Sequence, residues 1–156
     1  MKIKNKLLII ILVSTIATLP SCGNKNGNPV PSSTQSEKSS PPISSKAMEN
    51  GLAVYKSHCF ACHQMTGIGI PKLYPPLADN KTITGDKTYL ISILLNGMSG
   101  EIEVNGEKYN QIMIPHNFLT DEQIADVLTY IRNSFYNQAS QVNASEVKKI
   151  RRENQK

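Results

Sequence analysis

Tryptophan is absent from the 156-residue sequence, and phenylalanine occurs only three times. The part of the chain that can fold, residues 47–137, is about 90 residues long, and long loops separate its helical segments. Few large side chains are therefore available for a core of this size. The composition predicts that something other than the polypeptide fills part of the interior.

The sequence also lacks an apolar run long enough for a membrane-spanning helix. Residues 7–19 form a mostly aliphatic run of about a dozen residues, whereas a span needs roughly 20. Lys2, Lys4 and Lys6 precede this run. We interpret residues 1–21 as an export signal of the lipoprotein type.

The end of this signal, LPSC, resembles the lipobox of bacterial lipoproteins, although Pro20 departs from the usual small residue. In this interpretation Cys22 is acylated and becomes the first residue of the mature chain. The protein is then exported to the periplasmic side of a bacterial cell envelope and anchored to a membrane by lipid. The alternative is an ordinary signal peptide cut nearby, which leaves Cys22 as an odd thiol.

Residues 22–46 are rich in Ser, Pro, Asn and Gly and contain almost no large apolar side chains. Such a composition cannot offset the entropy cost of ordering by burial. We predict a flexible tether that holds the following domain away from the membrane surface.

The net charge of +5 does not indicate nucleic-acid binding. Without the three signal lysines, 14 basic residues stand against 12 acidic ones, so the mature chain carries +2. Residues 47–137 hold six basic and nine acidic residues, a charge of −3. The basic excess therefore lies in the signal, the tether and the C-terminal tail 138–156, and no nucleic-acid partner is expected.

Two segments have the apolar spacing of long helices. The first begins at Ser44 or Ser45 as N-cap and runs to Cys59. A glycine in its interior, Gly51, costs about 1 kcal/mol of helix propensity, which indicates that another backbone approaches closely. The second covers residues 120–135, with a capping box at its start and an apolar face that continues to its end.

Three smaller elements complete the secondary structure. A short helix is predicted from about Asp86 to Leu95, and a small hairpin around EVNGEKY. In the tail, a short helix over residues 143–152 has only Val147 and Ile150 to bury. Strands and helices do not alternate along the chain, so the predicted fold class is all-α.

The string HCFACHQM places Cys59 and Cys62 three positions apart, with His63 directly behind. A redox dithiol pair is expected in an α/β fold, and zinc needs a fourth ligand at a paired spacing that the sequence does not show. A structural disulfide is a further alternative in an exported protein. The C-x-x-C-H string indicates most directly covalent haem attachment, with His63 as the proximal iron ligand. One haem c also supplies the missing apolar core.

Residues 47–137 resemble a class I mono-haem bacterial cytochrome c. The similar segments are GLAVYKSHCFACHQMTGIG for the first helix and haem-attachment loop, YPPLADN for the proline loop, and YNQIMIPHNFLTDEQIADVLTYIRNSF for the distal loop and final helix. The resemblance implies a small cytochrome c fold, three to four helices with long loops wrapped around one covalently bound haem c. In that family the first and last helices cross at a small residue, which places Gly51 opposite Tyr130 or Leu128.

The resemblance also implies a support for the proximal histidine. In the family a carbonyl of the proline loop accepts a hydrogen bond from the second ring nitrogen, which orients the imidazole. By its position after the motif, Pro75 is the better candidate to support His63, with Pro71 and Pro76 as alternatives. Leu77 is expected to pack on the haem.

The distal iron ligand implied by the resemblance is Met113, because the family places this ligand in the long loop before the final helix. Pro115 follows, as a proline does in the family, but Ile114 separates the two where the family often has Met-Pro directly. This departure leaves His116 and Met98 as alternative distal ligands.

An iron held by histidine and methionine has no open coordination position, which implies an electron-transfer protein and not an enzyme. The predicted function is one-electron transfer between redox partner proteins: a respiratory complex, an oxidase, or a periplasmic dehydrogenase or reductase. One alternative is a dedicated electron-transfer subunit of a periplasmic oxidoreductase complex. Another is a haem-based ligand sensor or peroxidase-like enzyme, which requires an open distal site. The acidic residues Glu101, Glu103 and Glu107 are interpreted as a solvated loop, with steering of a basic partner as the alternative.

Overall fold

The computed structural model describes residues 42–154, which are helical with one small antiparallel hairpin. None of the helices in this range is long and apolar enough to cross a membrane. The predicted export signal, Cys22 and most of the tether lie outside the described residues. The elements are α1 (Ser45–His58), α2 (Phe60–His63), α3 (Lys81–Thr84), α4 (Lys87–Asn96), β1 (Ile102–Val104), β2 (Glu107–Tyr109), α5 (Asp121–Arg132) and α6 (Ala144–Glu153).

The all-α prediction is confirmed, but the described residues form six helices where three to four were expected. The difference lies in α2 and α3, which are four-residue turns too short for a periodic apolar pattern to reveal. The helix predicted for the tail is present as α6.

Helix α1 begins where its cap was predicted. The Ser44 side chain accepts a hydrogen bond from the backbone N–H of Ala47 at 3.4 Å. The helix starts at Ser45, two residues before the predicted start of the domain at residue 47. Its buried residues are Ala47, Gly51 and Tyr55, which recur every fourth position and form one face directed at α5.

The contact between α1 and α5 centres on Gly51. A Cβ atom on this residue would overlap the carbonyl oxygen of Asp126 and lie 2.6 Å from the Cβ of Tyr130. The predicted approach to Tyr130 is therefore confirmed, while Leu128 lines an internal cleft instead. Next to the crossing, the Asn50 amide donates to the Asp126 carboxylate at 3.0 Å.

Helix α5 has the predicted capping box, in which Thr120 and Gln123 exchange hydrogen bonds. The predicted end at residue 135 is wrong, because the helix stops at Arg132. Phe135 and Tyr136 have φ values of 57° and 65°, which an α-helix does not allow. The chain turns there, so Phe135 packs on the core from outside the helix.

Helix α4 and the hairpin agree with their predictions. Asp86 caps α4 through the N–H of Thr88 at 2.9 Å, and the helix ends at Asn96 with Gly97 as its C-cap. In the hairpin, the two turn residues Asn105 and Gly106 both have positive φ values, 52° and 81°. A two-residue turn in which both φ values are positive has the same twist as the two antiparallel strands that it connects.

Helix α6 packs against α4 and α5 through Val147 and Ile150, the two side chains predicted to be buried. The segment before it is fastened to α5, because the Thr129 hydroxyl and the backbone of Val142 exchange hydrogen bonds of 3.3 and 3.0 Å. Residues 138–153 therefore pack against the helices of the preceding domain.

An arginine occupies the interior beneath this layer. Arg132 is 2% exposed, and its guanidinium donates to the carbonyl oxygens of Ile83 at 2.7 Å, Gly85 at 2.9 Å and Ser140 at 3.2 Å. The carbonyls at the end of α3 have no partner within that short helix. The buried charge is therefore stabilised by backbone groups that themselves need donors.

We expect the substitution Gly51→Ala to destabilise the fold. Overpacking costs about 1–3 kcal/mol, and the overlap with the backbone carbonyl of Asp126 places this site in the upper part of that range, at about 2–3 kcal/mol. The better helix propensity of alanine returns about 1 kcal/mol, so the net loss in free energy of unfolding is about 1–2 kcal/mol. Denaturant unfolding measures this loss. Glu49→Ala on the exposed side of α1 is the matched control, expected to change stability by less than about 0.5 kcal/mol. A Gly51→Ala variant as stable as the parent would contradict the close crossing.

Candidate haem site

A mostly apolar cleft opens between α2, α3, α4, α5 and the loop that carries Met98 and Met113. Cys59, His63, Pro75, Met98 and Met113 all line it. The rest of the wall is mostly aliphatic and includes Ile83, Leu90, Ile93, Leu94, Leu128 and Ile131.

The predicted haem-attachment residues lie on one turn of helix. Cys59 is 8% exposed and His63 9% exposed, and Cys62 between them is half-buried. The carbonyl oxygen of Cys59 accepts hydrogen bonds from the N–H groups of Cys62 at 3.2 Å and His63 at 2.9 Å. The turn therefore fixes the backbone of the two cysteines and the histidine relative to one another.

Cys59 and Cys62 form no disulfide with each other, and burial raises the pKa of the Cys59 thiol to about 12, with the charge of Cys62 as a further cause. A redox-active cysteine requires a lowered thiol pKa, so Cys59 lacks the environment that the attacking thiol of a disulfide oxidoreductase needs. Within residues 42–154, no three His, Cys, Asp or Glu side chains converge as a metal site.

His63 is held as a neutral imidazole. Burial lowers its pKa, the Pro75 hydrogen bond opposes this effect, and the charge of His116 adds to the lowering. The Nδ1 atom lies 3.1 Å from the carbonyl oxygen of Pro75. Since a carbonyl oxygen can only accept, Nδ1 carries the proton and Nε2 keeps its lone pair. A neutral imidazole with a free Nε2 is the form that binds a metal.

Gly69 permits the approach of the Pro75 carbonyl, a role that the sequence alone did not reveal. Its φ is 66°, and a Cβ atom on it would lie 2.7 Å from the oxygen of Pro75. The two glycines of GIG after the motif were the available signal of a close backbone contact. Only the folded loop shows that the backbone in contact with Gly69 is that of Pro75.

Met98 and Met113 are neighbours across a backbone bridge. The N–H of each donates to the carbonyl oxygen of the other at 2.9 Å. The sulfur of Met98 also lies 3.8 Å from the Tyr89 hydroxyl, which donates to it. His116, the third distal candidate, is buried but does not line the cleft, and its Nδ1 has no hydrogen-bond partner.

The residues present fit a covalently bound haem. Two thiols and a neutral histidine share one turn, and Cys59 and His63 line the mostly apolar cleft beside it. Leu77 is half-buried, lines the cleft and packs against the core, at the place where haem packing was predicted for it.

A network of buried amides holds the proline loop, and none of its members stood out in the sequence. The Asn137 side chain donates to the carbonyl oxygens of Leu77 at 2.8 Å and Ile131 at 3.0 Å, and it accepts from the N–H of Asn80 at 3.2 Å. Asn80 in turn donates to the carbonyl oxygen of Pro76 at 2.8 Å. The contacts of Asn137 with Leu77 and Asn80 span 60 and 57 residues of sequence, so no local pattern reveals them.

We expect Asn137→Ala to destabilise the protein by about 3 kcal/mol, because it leaves two buried carbonyls and one N–H without partners. Thermal or denaturant unfolding of the haem-loaded protein measures the loss. Gln138→Ala changes an exposed neighbour and is expected to be neutral. Equal stability of both variants would show that the Asn137 network contributes nothing.

Known proteins that are similar to this chain in sequence include cytochromes c, which agrees with a haem site. Residues 48–135 match the cytochrome c family. A cytochrome c-552 of Thermus thermophilus is 41% identical over 115 residues, covering 67% of this chain and 76% of the relative. The cytochrome c subunit of a quinone alcohol dehydrogenase from Gluconobacter oxydans is 33% identical over 105 residues, covering 65% of this chain and 22% of that subunit. A fructose dehydrogenase cytochrome subunit from Gluconobacter japonicus is 34% identical over 107 residues, with 65% and 22% covered. The chain therefore belongs to the cytochrome c family, as a class I bacterial cytochrome c that carries electrons with covalently attached haem c.

Proposed function

We propose that this cytochrome c moves one electron at a time through a single haem attached to Cys59 and Cys62, with His63 and Met113 as axial iron ligands. One observation carries the proposal: His63, with its Nδ1 fixed by Pro75, and Met113 line the same apolar cleft. When bound, the haem supplies reversible one-electron chemistry.

The side chains around the cleft suit electron transfer better than catalysis. With histidine and methionine both bound, no coordination position remains for a substrate or for oxygen, so we infer that the protein is not itself an enzyme. The mostly aliphatic wall gives the haem apolar surroundings, and methionine as a ligand favours a raised reduction potential. The sensor or peroxidase-like alternative needs a distal position that Met113 would occupy.

Met113 is the best of the three distal candidates. It lies in the cleft and packs against the buried core. The sulfur of Met98 already accepts a hydrogen bond from Tyr89. The ring of His116 does not line the cleft.

We expect Met113→Ala to abolish the sulfur-to-iron charge-transfer band of the oxidised protein and to lower the reduction potential by on the order of 0.1 V, within the roughly 0.8 V that axial ligands span. Visible spectroscopy and a redox titration measure both effects. Met98→Ala is the matched control, since its sulfur lies on the same wall, and His116→Ala is the second control; both should retain the band. Loss of the band in either control, with Met113→Ala unaffected, would assign the distal position elsewhere.

The partners are redox proteins, and two arrangements agree with the relatives. We favour a mobile carrier, because this chain covers 76% of the Thermus cytochrome c-552. The other relatives are named as cytochrome subunits of dehydrogenases, which supports a dedicated subunit as the second candidate. The acidic segment of Glu101, Glu103 and Glu107 is a weak steering surface, because Glu101 is paired with Lys108 at 2.7 Å and both side chains are more than half exposed.

We further propose that residues 1–21 direct export, that Cys22 carries a lipid, and that residues 22–46 tether the domain beside its membrane partners. The support is the LPSC sequence and the Ser- and Pro-rich composition that follows it. A tether raises the effective concentration of the domain at the membrane surface. Residues 47–137 form the electron-transfer domain in this proposal, and 138–156 extend it.

We expect the native host to place the parent protein in the membrane fraction and to label it with a radioactive fatty acid, whereas Cys22→Ser incorporates no label and does not remain membrane-bound. Fractionation followed by detection of the haem measures this difference. Asn24→Ala, two positions away, is the control and should behave as the parent. A parent protein that is soluble and unlabelled would contradict the anchor.

A further inference from the structure

Arg151 of α6 binds the segment of chain that connects Met113 to the start of α5. Its Nη1 and Nη2 atoms donate to the carbonyl oxygens of Asn117 at 2.8 Å and Leu119 at 2.7 Å. Its Nε donates to the Asp121 carboxylate at 2.7 Å. Both charged side chains are only 22% exposed. Helix α6 lies beyond residues 48–135, the part of the chain that matches the family.

The loop that Arg151 contacts is only partly packed. Leu119 and His116 are buried, at 4% and 8% exposure, whereas Ile112, Ile114 and Phe118 are 69%, 65% and 63% exposed, so these last three contribute little to holding the loop. Its other backbone attachments to distant parts of the chain are the Met98–Met113 bridge and the N–H of His116, which donates to Leu94 at 2.7 Å.

We propose that Arg151 is a positioning residue for the distal iron ligand: it clamps residues 117–121 and thereby keeps the Met113 loop closed over the cleft. The inference rests on the proposed ligation by Met113. It assigns to α6 a function at the haem site, although no residue of α6 lines the cleft.

The chemistry of the clamp favours this function. Hydrogen bonds from a charged donor are roughly twice as strong as neutral ones, and partial burial limits their screening by water. A guanidinium can serve two carbonyls and one carboxylate at once because its donors form a rigid fork. Lysine at position 151 would keep the charge but not this geometry.

A second ion pair on α6 supplies a matched control. Lys87 donates to Glu146 at 3.1 Å and to the carbonyl oxygen of Gln141 at 2.6 Å. This pair fastens the start of α6 to α4 and is also partly buried, at 24% and 37% exposure. None of its hydrogen bonds reaches residues 113–121. Lys87→Met therefore loosens the same helix without releasing the distal loop.

The experiment compares Arg151→Met, Arg151→Lys and Lys87→Met in the haem-loaded protein. The first readout is the rate at which added imidazole displaces the methionine from ferric iron. We expect Arg151→Met to accelerate this displacement about tenfold, the effect of about 1.4 kcal/mol on loop closure. Arg151→Lys should fall between Arg151→Met and the parent, and Lys87→Met should stay within about twofold of the parent.

The second readout is hydrogen exchange of the backbone N–H groups of Met113, His116 and Leu119, which does not depend on which residue binds the iron. Faster exchange in the Arg151 variants, with Lys87→Met like the parent, supports the clamp. Unchanged exchange and displacement in Arg151→Met, or equal acceleration in Lys87→Met, would overturn it. Faster exchange without any sulfur-to-iron band in the parent would confirm the clamp and refute the Met113 ligation separately. If Arg151→Met does not fold, Arg151→Lys decides the same question.

Discussion

The hydrogen bond from His63 Nδ1 to the Pro75 carbonyl is the constraint on which the haem site depends. It fixes the tautomer and the orientation of the imidazole, and it requires the proline loop to pass within 3.1 Å of the ring. Gly69 provides the space for that approach. Asn137 holds the loop through a hydrogen bond from its side chain to the Leu77 carbonyl oxygen. A ring orientation is therefore maintained by contacts that reach the end of α5.

The elements with local signals were predictable. A capping side chain followed by apolar residues marked the start of α1 and α5, because a cap and an apolar face act within a few residues of one another. The Asn-Gly pair marked the end of α4. The hairpin was predictable from Asn105 and Gly106, the residue pair that its turn requires. The C-x-x-C-H string indicated the haem-attachment turn for the same reason, since its residues occupy consecutive positions of one short segment.

The parts that sequence alone did not reveal depend on contacts between distant segments. The end of α5 was placed too late because the apolar face continues to Phe135, although that ring packs from a residue with positive φ. The amide network of Asn137 and the clamp of Arg151 use backbone carbonyls as acceptors, and any residue supplies a carbonyl. The tail was predicted as a short helix, but its contacts with the distal loop required the folded arrangement.

The buried Arg132 has a consequence for how this protein can diverge. Its hydrogen-bond acceptors are the main-chain oxygens of Ile83, Gly85 and Ser140, which substitutions at those positions do not remove. Substitutions at the acceptor positions therefore leave these hydrogen bonds intact, while replacement of the arginine removes them. In a set of diverged descendants, position 132 would stay constant without any partner position that co-varies with it.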